Sequence, residues 1–172
     1  MQRAMRAFHL DAEGHWVAEL SCGHRQHVRH QPPFTLRPWV LTETGRAERI
    51  GQSLECAACD RRELPKGHVP YRRTPTFHRD SVPRALLERH DTKAGIWALL
   101  HVVSGSVELV ENDSRGEQRQ IVTAGHHAVI CPEVEHRLVL PDVASAGGSC
   151  DVPDAAVELE LYLELWRAEP HR

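Results

Sequence analysis

The feature that most restricts this chain is a pair of half-sites built from cysteine and histidine. Cys56-Ala57-Ala58-Cys59 is a C-x-x-C knuckle, a spacing that lets two thiolates close on one tetrahedral ion. Upstream, Cys22-Gly23-His24 sets a thiolate and an imidazole on either side of a glycine that permits a tight turn. Together Cys22, His24, Cys56 and Cys59 form a Cys3His set, whose chemistry suits zinc in a closed structural site. His27 and His30 compete with His24 for the imidazole position, because a C-x4-H spacing also closes around one ion. Two other readings of the same residues are a redox dithiol and unrelated surface thiols. The redox reading needs the knuckle between a strand and a helix of a βαβ unit, a pattern the sequence does not show.

Composition supports the staple. The chain has 172 residues and five cysteines, an odd number at uneven spacing that argues against a disulfide framework and for a reducing compartment. A module of about sixty residues with few large apolar side chains needs a metal to hold it. No apolar run is long enough to cross a bilayer. The opening residues carry polar groups where an export signal needs apolar ones, so the expected location is the cytoplasm. Net charge is −3. Residues 1–67 carry +2 and the remainder −5. The stretch from His24 to His30 has a composition that could touch phosphate, but +2 is far short of a nucleic-acid footprint.

Patterning divides the chain in two. Ala4–Leu10 and His15–Leu20 alternate loosely around Asp11-Ala12-Glu13-Gly14, which reads as a hairpin delivering the chain into Cys22. Prolines in Pro32-Pro33 and Arg37-Pro38-Trp39 exclude a regular helix there. Residues 60–70 are charged and hold Pro and Gly, so the boundary is expected near Gly67, giving modules 1–67 and 68–172. Ser81–Arg89 reads as a short helix with Ser81 as its N-cap and Pro83 in its first turn. From Ile96 onward the chain turns to strands: Ile96–Val103, a hairpin with its tip at 112–116, Gly125–Ile130, His136–Leu140, and a long last strand over Ala156–Trp166. That last strand places Val157, Leu159, Leu161, Leu163 and Leu165 on one face and Glu158, Glu160, Tyr162, Glu164 and Trp166 on the other. The expected class is mainly β: a zinc-stapled hairpin module followed by one small antiparallel barrel with one short helix.

The N-terminal residues also carry a family resemblance. Phe8-His9-Leu10, the run from Trp16 to His30, Pro32-Pro33, Arg37-Pro38-Trp39-Val40 and Cys56-x-x-Cys59-Asp60 resemble an uncharacterised bacterial Cys/His family labelled pressure-regulated protein. That family brings no reaction with it.

The second half resembles the cupin-like domain of tellurite-resistance proteins. The match is carried by Pro70–Pro75, Pro83-x-x-Leu86, His90–Trp97, His101-Val102-x-x-Gly105, Pro132-x-x-x-His136 and Tyr162–Arg167. The resemblance implies an antiparallel barrel that can pair into homodimers. Metal-binding cupins offer two histidines and a glutamate on an early strand and one histidine on a later strand. Here the early H-x-H is missing and Ala98 stands where the glutamate would be. His90, His101, His136 and Glu164 remain as candidate ligands for a second divalent metal. Spacing alone does not bring them together. His136 lies at the offset of the late ligand. His90 ends the short helix, where an imidazole is also favoured electrostatically. His101 reads as a buried, hydrogen-bonded histidine in an apolar run. Lys93 and Trp97 are candidate ligand-binding residues, one to meet an anion and the other to supply a flat apolar wall.

The function expected from these residues is a stress-associated protein with a structural zinc module and a barrel that holds a metal or a small anionic ligand. A metal-dependent cupin enzyme of dioxygenase or isomerase type is the first alternative, weakened by the reduced ligand set. A nucleic-acid-binding regulator acting through the zinc module is the second.

Overall fold

The computed structural model describes residues 1–28, 37–141 and 158–170, and it divides into two compact units, Met1–His68 and Val69–His171. His30, Pro32-Pro33, Cys150, the 144–149 loop and the expected start of the last strand at 156–157 lie outside the described residues.

The first unit is a four-stranded antiparallel sheet in the order β3-β2-β1-β4, from β1 (Gln2–Leu10), β2 (Trp16–Leu20), β3 (Arg25–His27) and β4 (Ser53–Glu55). The β1–β2 hairpin is the one read from sequence, with Phe8 opposite Ala18 and Leu10 opposite Trp16. Its turn forms because the Asp11 carboxylate accepts from the backbone N–H groups of Glu13 and His15. The two short edge strands carry too few residues for their alternation to show. A 3-10 turn at Pro38–Leu41 leads into a one-turn helix, α1 (Glu43–Ala47), capped by the Thr42 hydroxyl. Arg46 lies over the Trp16 ring at 3.6 Å and donates to the Val40 carbonyl, tying this segment to β2. A second one-turn helix, α2 (Ala57–Asp60), starts at Cys56.

The second unit holds two antiparallel sheets. One has the order β10-β7-β12-β5 with β6 beside β12, and the other β11-β8-β9. The strands are β5 (His68–Arg73), β6 (Phe77–His78), β7 (Trp97–Ser104), β8 (Ser106–Asp113), β9 (Gly116–Thr123), β10 (His127–Ile130), β11 (Glu135–Val139) and β12 (Glu160–Ala168). Leu100, Leu109, Ile130, Leu138 and Leu161 come from both sheets and share one core. Of the inward face expected of the last strand, Leu159, Leu161 and Leu163 are buried and Leu165 is half-buried against the same core, while Val157 lies outside the described residues.

The expectation of a single barrel is coarser than what forms, which is a half-barrel of two unjoined sheets among the described residues. Consecutive strands β7 and β8 do not pair with each other. Between them the chain passes from one sheet to the other at Gly105, in the left-handed region at φ +73°. A Cβ there would run into the Glu158 carbonyl oxygen. The short helix also differs: α3 spans only Arg84–Leu87, Pro83 stands at its N-cap position, and the Ser81 hydroxyl instead accepts from the His78 N–H.

Gly105→Ala is expected to destabilise the second unit by about 2–4 kcal/mol, combining left-handed strain with the carbonyl clash. Gly125→Ala, at φ +78° with open space around it, should cost only about 1 kcal/mol. Urea unfolding of the two variants measures the difference.

Candidate metal centre

The first unit's hydrogen bonds bring the two half-sites together. After β2 the chain reverses through Cys22-Gly23-His24, with the Leu20 N–H donating to His24 and the Gly23 N–H to Leu20. Pairing of β1 with β4 carries the chain to Cys56, whose N–H donates to the Met1 carbonyl. Cys59 then follows one turn later in α2, where the Asp60 N–H reaches back to the Cys56 carbonyl.

The four ligand atoms form a compact cluster. His24 Nδ1 lies 3.4 Å from Cys22 Sγ, 3.4 Å from Cys56 Sγ and 3.6 Å from Cys59 Sγ, and Cys22 Sγ is 3.9 Å from Cys56 Sγ. A tetrahedron with zinc-to-sulfur and zinc-to-nitrogen bonds of ordinary length has edges of about 3.8 Å between sulfurs and about 3.6 Å between sulfur and nitrogen. The donor set fits a metal ion, and all three cysteines are buried and free of disulfide. Of the two imidazoles in this stretch that are described, His24 joins the cluster. His27 instead pairs with Asp11 at 2.7 Å on the hairpin turn.

Electrostatics favour bound thiolates. Hydrogen bonds from Cys22 and Cys59 hold the Cys56 thiol far below its ordinary range. Burial opposes a charge on His24, but the Cys22 and Cys56 sulfurs outweigh it and raise the ring to about 9. Gly23 sits at φ +89°, and a Cβ on it would lie 2.6 Å from the His68 ring, so the turn is also packed from outside.

In the second unit the four candidate ligands fall into two pairs. His101 and Glu164 face each other across β7 and β12 at 3.4 Å, with the His101 ring stacked on Tyr162 at 4.6 Å between centroids. Burial lowers the His101 pKa although Glu164 opposes the shift. His90 and His136 form the other pair, with ring centroids 4.2 Å apart. His90 lies beyond the end of α3 instead of capping it. His136 is 3% exposed, and burial pushes its pKa down to about 4. Lys93 is exposed in the turn before β7, and Trp97 is fully buried. Sequence reasoning passed over Glu111. It is 5% exposed on β8 and opposite His136 in register. The signal was present: Val107, Leu109 and Glu111 share one face of an alternating strand, so a carboxylate occupies an inward position.

Fold and site define the class as a Cys/His module able to hold a metal ion, joined to a β half-barrel. Residues 7–63 match the model of a family described as a protein of unknown function (DUF3565), and residues 72–144 match that of the TehB-like domain. The uncharacterised protein YeaR of Escherichia coli K12 is 28% identical over 83 residues, which is 44% of this chain and 70% of YeaR. The probable S-adenosyl-L-methionine-dependent methyltransferase TehB of Haemophilus influenzae is 30% identical over 73 residues, 41% of this chain and only 26% of TehB. Among solved structures, an Escherichia coli K12 protein aligns at TM-score 0.49 and 20% identity, covering 63% of this chain and 98% of that one. TehB from Haemophilus influenzae aligns at 0.47 and 23% identity, covering 60% of this chain and 32% of that one.

His136 generates a pH dependence. Its folded pKa of about 4 lies below the unfolded value near 6.5, so the unfolded chain binds the proton first as pH falls. Stability of the second unit should therefore drop by about 3 kcal/mol between pH 6.5 and 4. Amide exchange in β7 across that range checks this, and His136→Gln should flatten the curve.

Proposed function

We propose that this chain is a metal-binding protein in which a structural zinc ion holds the first unit together and the half-barrel holds a second metal ion or a small anionic ligand. The observation that carries the proposal is the match between the four Cys/His distances and the edges of a zinc tetrahedron. All four positions belong to protein atoms, so this centre has no open coordination site and its role is structural. Cys22 and His24 lie on one turn and Cys56 and Cys59 on another, far apart in sequence. Closing both around one ion supplies the long-range link that a small core does not.

For the half-barrel, the TehB-like match and the inward histidine and carboxylate support a cupin-like, ligand-holding reading. A role in the bacterial stress response rests on the same likeness. The stretch matched in TehB is about a quarter of that protein, so its methyltransferase activity is not carried over. Charge argues against nucleic acid, since the chain is net −3. No helix among the described residues is long and apolar enough to cross a membrane.

Purified protein should retain one zinc per chain through dialysis. Cys56→Ser with Cys59→Ser should release it and unfold the first unit, since structural zinc contributes on the order of 10 kcal/mol to such modules. Elemental analysis with circular dichroism reads both effects. Unchanged zinc content in the double variant would defeat the proposal. No gel shift with duplex DNA is expected at low salt.

A further inference from the structure

The turn between β1 and β2 gathers a second group of metal-ligating side chains, none of which belongs to the Cys/His centre. Asp11, Glu13 and His15 stand at alternate positions, and one ligand atom from each lies within 4.8 Å of the other two. Backbone bonds hold the turn: the Asp11 N–H donates to the His15 carbonyl at 2.9 Å and the Gly14 N–H to the Asp11 carbonyl at 3.1 Å. Asp11 Oδ1 accepts from the N–H groups of Glu13 and His15 at 2.9 and 2.8 Å, which leaves Oδ2 to the side chains. A fourth group arrives from β3. Pairing of Val17 with His27 brings that imidazole alongside, and its Nε2 lies 2.7 Å from Asp11 Oδ2.

The spacing around His15 is not that of a tight ion pair. His15 Nδ1 is 3.4 Å from Glu13 Oε2 and 3.7 Å from Asp11 Oδ2, whereas a charge-assisted bond closes to about 2.7–2.9 Å. Two ligands on one ion, with bonds of about 2.1 Å, stand about 3.0 Å apart in an octahedron and about 3.4 Å apart in a tetrahedron. The three atoms are thus within a few tenths of an ångström of ligand spacing. Their lone pairs suffice as well. An ionised carboxylate has about four acceptor positions. Asp11 spends two on backbone N–H groups and one on His27, so one remains on Oδ2. The bond from His27 is the outer-shell support that orients a ligating carboxylate. His15 presents a lone pair at Nδ1 when its ring hydrogen sits on Nε2.

We propose that Asp11 Oδ2, Glu13 Oε2 and His15 Nδ1 bind a first-row divalent cation on this turn, with His27 positioning Asp11. Two carboxylates balance the cation's charge, and water or an anionic ligand fills the remaining positions. Oxygen donors with one imidazole suit manganese(II), cobalt(II) or zinc. The His15 and Glu13 side chains are 47% and 78% exposed, so the ion exchanges with solvent and is held more weakly than at a buried centre. The site is independent of the zinc reading, because it shares no ligand with the Cys/His cluster.

Substoichiometric manganese(II), added to the isotopically labelled full-length chain as purified, tests this by paramagnetic broadening of backbone amides. Amides of residues 11–15 and 25–27 should broaden first. Glu13→Gln and His15→Gln should each raise the manganese required about ten-fold or more. Asp11→Asn keeps an acceptor for the two turn N–H groups and should have the same effect with the hairpin spectrum intact. Glu43→Gln, at an exposed acid on α1, should change nothing. Absence of broadening at the turn would overturn the proposal. So would broadening spread evenly over exposed acids, or broadening at the turn that His15→Gln leaves unchanged. Zinc content should stay the same in the three turn variants, and its loss there would overturn the separateness of the site. A chain that holds no zinc yet shows the localised broadening would defeat the zinc reading and leave this one standing.

Discussion

Everything in the first unit depends on bringing Cys22 and His24 against Cys56 and Cys59. The four-stranded sheet is small, and its two edge strands have three residues each, so backbone pairing alone gives it little strength. The cluster joins the β2–β3 turn to the start of α2, two segments that no strand pairing links directly. With thiolates in place and no cation, the site would hold buried negative charge at high cost. A metal ion bound there would remove that cost and close the loop between the half-sites in the same step.

The second unit solves a different problem. Its core is continuous and drawn from both sheets. The functional question there is why polar side chains occupy inward positions on strands that are otherwise apolar. His136 and Glu111 stand opposite each other on β11 and β8, and both are nearly fully buried. Burying such groups is unfavourable unless each finds partners. The His136 ring satisfies one nitrogen on the Val134 carbonyl, which fixes its orientation.

The two sites were legible to different degrees. The Cys/His cluster was legible as two short motifs, because tetrahedral metal chemistry calls for ligands in such pairs. Only the choice of imidazole needed coordinates, and the Asp11 carboxylate decided it by engaging His27. In the half-barrel the candidates could be named but not grouped. His90 lies between β6 and β7 and forms its bridge through a segment with no periodic signal. His101 fell in a near-continuous apolar run, Ile96 to Val103, whose faces separate only once its neighbours β10 and β12 are known.

The sequence by itself determined the local elements: the first hairpin, the alternating last strand and the Cys/His pairs. Each follows from side-chain periodicity or from the demands of one turn or one ion. Tertiary structure alone decided which distant residues share a face. It separated His101 and Glu164 from His90 and His136, set the overlooked Glu111 opposite His136, and turned an expected single barrel into two sheets connected at Gly105. The reason is that strand register and sheet membership depend on pairing between segments far apart in the chain, and no local pattern encodes which segment lies opposite.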